Sequence, residues 1–168
     1  MPKIAITNAL IFDGYEIQTD RTVTIDNGII GTDTTDAQVL DCSGMTLLPG
    51  LIDAHVHMLP NNDESTHLLK PMAECGVTTA LDMGHLPAAV RNAFRGQAGL
   101  ADLRFASSFA TSSGSTHSRM GQLPKTHLGD STGQAAQVVQ ERIDEGADYV
   151  GVVADNSGPA RDPERLGH

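Results

Sequence analysis

The chain has 168 residues, 39% of them apolar and 19% charged. This composition suits a folded domain with a small attached piece and disfavours long disorder, but the length falls short of the roughly 250 residues of a complete (β/α)₈ barrel. Acids outnumber bases 21 to 11, a net charge of −10 without a basic cluster, which argues against nucleic acid or an anionic membrane as partner. No run approaches about 18 unbroken apolar residues, so no transmembrane helix is expected. Residues 1–10, broken by Thr7 and Asn8 and lacking a small-residue cleavage site, do not read as a signal peptide. Cys42 and Cys75 have neither metal nor redox spacing, so both thiols are expected to be buried in a reducing, cytoplasmic setting.

Residues 1–49 read as a small β segment. Ile4 and Ile6, then Val23 and Ile25, alternate with polar or small residues, the period of half-buried strands. Asp26-Asn27-Gly28 supplies a hairpin turn before Ile29 and Ile30. Residues 39–48 look like a strand pair broken at Ser43-Gly44, and the whole is expected to be antiparallel. Fifty residues make a thin core, so the segment should pack on something else.

The rhythm changes over residues 50–155. Strand-like runs at 51–58, 77–81, 103–109 and 149–154 alternate with helical spacing at 65–75, 88–94 and 135–143. Gly76 and Gly146 stand where helices end, and Pro87 suits a first helical turn. Four strands and three helices in this order imply a parallel sheet, so the fold class is α/β. The Ser-, Thr- and Gly-rich link over 111–133 has the length of a functional or mobile loop. Residues 156–168 read as a polar tail.

The chemistry concentrates in Leu48-Pro49-Gly50-Leu51-Ile52-Asp53-Ala54-His55-Val56-His57. Side chains two apart on a strand share a face, so Asp53, His55 and His57 should point one way and Ile52, Ala54 and Val56 into apolar packing. Two neighbouring imidazoles can reach one divalent ion. Asp53 either orients a histidine through its second ring nitrogen or holds the loop. The plain alternative is a pair of histidines near a strand end that binds nothing.

The string Pro-Gly-Leu-Ile-Asp-x-His-x-His after a small β unit resembles the amidohydrolase superfamily of metal-dependent hydrolases, particularly its imidazolonepropionase and Xaa-Pro dipeptidase-like members. The run from Glu74 through Thr79 to Asp82 resembles the family's second strand, and the run from Glu145 to Val150 the lead into its fourth. The resemblance implies a partial (β/α) barrel of about four βα strands beside a small β-sandwich segment. It also implies a divalent metal, expected to be zinc, held by His55 and His57, and hydrolysis of a carbon–nitrogen bond in a small amide or cyclic amide by metal-activated water.

The chain also departs from the family pattern. The family's fourth-strand lysine would fall at Gly151, which has no side chain. The lysines are Lys3, Lys70 and Lys125, none near this strand, and Asp155 is about 13 Å farther along it. No residue is assigned a catalytic role. His117, in the Gly-Ser-Thr-His loop, is either a substrate contact or a solvated loop histidine, His85 shares the strand-end rim, and His67, His127 and His168 read as exposed. The chain is expected to be the N-terminal half of a hydrolase, truncated, with weak zinc binding and little activity alone. The competing expectation is a non-catalytic remnant or split half that self-associates or pairs with a second half-barrel. A binding module using the loop over 111–133 has no positive sequence signal.

Overall fold

The computed structural model describes residues 2–58, 62–84, 88–119 and 129–154. The chain divides into two compact units, Met1–Gly50 and Leu51–His168.

The first unit contains β1 (Ile4–Thr7), β2 (Leu10–Phe12), β3 (Ile17–Gln18), β4 (Val23–Asp26), β5 (Ile29–Gly31), β6 (Gln38–Asp41) and β7 (Thr46–Leu47). They form a four-stranded sheet, β5-β4-β1-β6, and a three-stranded sheet, β3-β2-β7. The predicted hairpin joins β4 to β5, with Asn27 and Gly28 at φ 49° and 81°, the positive values a tight two-residue turn requires. The expectation of an antiparallel unit is corrected, because β1 pairs with β6, and β2 with β7, in parallel. Alternation identifies a strand, but its direction depends on which distant partner it meets.

The second unit contains β8 (Leu51–Val56), α1 (Asn62–Glu74), β9 (Val77–Asp82), α2 (Ala88–Phe94), β10 (Asp102–Phe105), β11 (Ala110–Thr111), α3 (Thr132–Asp144) and β12 (Val152–Val153). β8, β9 and β10 lie side by side in parallel, with β9 central, and β11 pairs with β12 in parallel. Val56, Met58, Leu69, Ala80, Leu103 and Phe105 build the core between sheet and helices. Among the described residues the strands form separate sheets and no closed barrel. No helix among them is long and apolar enough to cross a membrane.

Three sequence expectations change here. The strand expected over 103–109 breaks after Phe105, where Ser107 takes a left-handed φ of 58°. The strand expected over 149–154 shrinks to Val152–Val153; ahead of it, among the described residues, the main chain bonds only at Gly151 O, which accepts the Ala110 N–H (2.8 Å), and at Asp148 N, while the Tyr149 side chain turns to Asp82 O. Cys42 is half-buried and Cys75 exposed, since Cys75 sits where α1 turns into β9. α1 does end at Gly76 (φ 88°), whose N–H returns to Ala73 O, and α3 at Gly146 (φ 75°), after which Ala147 N donates to Arg142 O.

The start of the last strand is fastened to β10 by charge. The Asp148 carboxylate accepts both guanidinium nitrogens of Arg95 (3.1 and 3.0 Å) and the Phe105 N–H (3.1 Å), while Asp148 N donates to Phe105 O (2.9 Å). The Arg95 and Arg91 guanidinium carbons lie 4.5 and 4.7 Å from the Phe105 ring centroid. Deep in the same region, Arg142 pairs with Glu145 at 2.7 Å, and Glu145 also accepts the Ser107 hydroxyl. Asp148→Ala removes several charge-assisted bonds at once and is expected to lower the urea unfolding free energy by about 2 kcal/mol. An unchanged unfolding midpoint would mean that backbone bonds alone hold this junction.

Candidate functional site

β8 delivers the two histidines to the end of the sheet. Between Asp53, opposite Ala80, and Val56, opposite Asp82, β8 has one residue more than β9. The Asp53 carboxylate accepts the His55 N–H (3.2 Å), a local turn that takes this donor out of the ladder. Asp53 therefore holds the chain path, the second of the two roles open to it, and does not line the cavity at the histidines. Of the three residues expected to face apolar packing, Val56 is buried, while Ile52 and Ala54 are exposed on a strand at the sheet edge.

Past this irregularity the imidazoles converge. His55 Nε2 and His57 Nε2 are 3.3 Å apart, with the ring planes at 70°. Two nitrogens bound to one tetrahedral zinc at about 2.0–2.1 Å stand about 3.3–3.4 Å from each other. The donor geometry thus fits two ligands of such an ion, although the same distance suits one ring N–H donating to the other ring. No group of three or more His, Cys, Asp or Glu able to hold a metal occurs among the described residues. The fit is therefore to half of a four-ligand shell.

A cavity of about 410 Å³ opens at the pair, bounded also by Phe109, His117, Tyr149 and Gly151. His117 stands edge-on to Phe109, with ring centroids 5.7 Å apart. The described part of its loop is tied down: Thr111 Oγ1 donates to Val153 O (2.9 Å) and lies 2.6 Å from Ser115 Oγ, and Ser113 N donates to Asp130 (2.8 Å). Gly151 has no room to spare, since a Cβ there would stand 3.2 Å from Ala106 Cβ and 3.6 Å from Phe109 Cβ. His67 is exposed on α1. His85, Lys125, His127, Asp155, His168 and the tail over 156–168 lie outside the described residues.

No family model matches the chain. Over 92 residues, 47% of its length, it is 34% identical to a dihydroorotase of Wolbachia sp. subsp. Drosophila simulans (strain wRi), matching 21% of that protein. Over 83 residues it is 35% identical to an adenine deaminase of Lactiplantibacillus plantarum, covering 46% of this chain and 15% of that one. Its fold is similar to a prolidase crystallised with N-methylphosphonate-L-proline (TM-score 0.65, 22% identity, 94% of this chain and 49% of that one). Over the matched stretches the curated relatives place the chain in the amidohydrolase superfamily. This amidohydrolase-superfamily chain spans about a fifth of the dihydroorotase and about half of the prolidase.

Sequence reasoning did not assign roles to Tyr149 and Asp82. The Tyr149 hydroxyl donates to Asp82 O (2.8 Å) at the cavity wall. Burial pushes the phenol well above its ordinary pKa, and the negative charges of Asp82 and Asp148 push the same way. A folded-state pKa above the unfolded value means the folded chain holds this proton longer. The associated stability is complete below about pH 10 and is lost as pH rises from there through the folded pKa. In urea titrations above about pH 10, Tyr149→Phe is expected to show a shallower loss of stability with pH than the parent chain. Identical slopes would exclude the phenol as the group responsible.

Proposed function

We propose that this chain carries the first-strand portion of a metal site for hydrolysis of a carbon–nitrogen bond in a small amide-type molecule. The observation that carries the reading is the 3.3 Å separation of His55 Nε2 and His57 Nε2 at the mouth of a cavity. The names of the relatives support it, since dihydroorotase, adenine deaminase and prolidase all act at carbon–nitrogen bonds. His55 and His57 would hold one divalent ion through Nε2, zinc among the metals that imidazole suits. When bound, such an ion supplies Lewis-acid activation of water and of an amide carbonyl. His117 and Phe109 bound the space a substrate would enter. Gly151 offers no bridging ligand, so the reading is of one ion and not two.

Two imidazoles give only half of a four-coordinate shell, so affinity and turnover should both be low. Calorimetric titration with Zn²⁺ is expected to find one weak site per chain, abolished by His55→Ala and by His57→Ala. Hydrolysis of Xaa-Pro dipeptides and of cyclic amides should stay near background. Tight stoichiometric zinc together with clear turnover would overturn the half-site reading.

A second reading is favoured by the exposed strand surfaces of the second unit. Leu51 and Ile52, on the edge strand β8, are 57% and 62% exposed, and Val152 on β12 is 70% exposed. Open edges with apolar side chains favour pairing with another chain. On this reading the protein self-associates or joins a second half-barrel, and the partner supplies the missing ligands. Sedimentation equilibrium should then show association, and a stable compact monomer would sink this reading.

A further inference from the structure

A cavity of about 400 Å³ opens in the first unit against one face of the four-stranded sheet. Thr24 and Asp26 on β4 line it beside their register partners on β5, Gly31 and Ile29. One wall belongs to the connection that leaves β5 at one edge of the sheet and crosses to β6 at the other. Lys3 Nζ fastens that connection through an ion pair with Asp33 Oδ2 (2.5 Å). The Lys3 bond, and after it the Thr35 N–H, holds the Asp33 carboxyl well below the usual carboxylate range.

Two polar groups at this cavity have no protein partner. Thr24 is only 2% exposed, yet its hydroxyl makes no hydrogen bond among the described residues. Buried hydroxyls are ordinarily paired, so this one points to a group from outside the chain. The Asp26 carboxylate, two residues along the same strand face, makes no hydrogen bond or ion pair among the described residues either. Gly31 keeps the hydroxyl accessible. Its φ is not left-handed, so the backbone does not require glycine, and a Cβ there would stand 3.3 Å from Thr24 Oγ1.

The charges select what fits. Asp33 already takes the Lys3 ammonium, which leaves the Asp26 charge and the Thr24 oxygen unmatched. Both are satisfied by a positive group that carries several N–H donors. Ile29, an exposed side chain on the same wall, offers apolar contact to a short carbon chain. A net charge of −10 favours the approach of a cation.

We propose that this cavity binds a small primary ammonium compound, whose N–H groups are shared between the Asp26 carboxylate and the Thr24 hydroxyl. The site is built within the first unit and does not rest on the metal-site reading.

The test is titration of the ¹⁵N-labelled full chain with propylammonium chloride at about pH 7 and constant ionic strength, followed by backbone amide shifts. Saturable shifts centred on Thr24, Asp26 and Gly31 are expected. Tetramethylammonium has the same charge but no N–H donor, and should bind at least about tenfold more weakly. Asp26→Asn removes the charge, Thr24→Val removes the hydroxyl at nearly constant shape, and Gly31→Ala covers it. Each should weaken propylammonium binding about tenfold or more while the remaining amide spectrum is retained. Shifts that do not saturate in the parent chain, equal binding of tetramethylammonium, or parent-like affinity in the folded variants would overturn the proposal. Should one variant not fold, the other two and the tetramethylammonium comparison still decide.

Discussion

Asp82 is the point on which the second unit converges. Through Oδ1 it accepts the N–H groups of Met58 after β8 and Gly84 after β9, and through its main-chain oxygen it accepts the Tyr149 hydroxyl and the Ala106 N–H. Met83 N completes the knot by donating to Val56 O (2.9 Å). One buried residue thus ties together the ends of β8, β9 and β10 and the lead into the last strand. A buried carboxylate is costly unless its hydrogen bonds are made, so the surrounding backbone is held close to the geometry that satisfies Oδ1. The histidines inherit that rigidity, because His57 lies next to the Met58 N–H that Asp82 grips.

The site combines a specific arrangement with only two converging donors among the described residues. The extra residue in β8 and the turn at Asp53 bring two imidazole nitrogens to a spacing that suits one ion. Opposite them Gly151 adds wall and no ligand, closely packed on Ala106 and Phe109. Coordination strength rises with the number of converging donors, so two histidines mark where an ion would sit without ensuring that it stays.

Membership of the superfamily and activity of this chain are separate matters. The matched stretches of the curated relatives cover about a fifth of their length or less, and the fold similarity to the prolidase covers about half of that protein. A fold hosts many chemistries, and the residues that choose among them are site residues contributed by several strands and loops.

The parts legible in the sequence were those with local causes. Asn27-Gly28 specified the hairpin, Gly76 and Gly146 the helix ends, and His55-x-His57 the candidate ligands, because backbone conformation and strand periodicity act over a few residues. The beginning of α3 was placed three residues late, since Ser131 caps it through the Gln134 N–H and polar capping residues carry no apolar rhythm. Strand direction in the first unit, the break at Ser107 and the diversion of Asp53 away from the cavity were decided by the tertiary structure. So was the role of Asp82, which reads in the sequence as one more residue after a β-rich run. Its bonds to Met58 N, Tyr149 Oη and Ala106 N exist only where strands far apart in the chain meet, and no local pattern records those contacts.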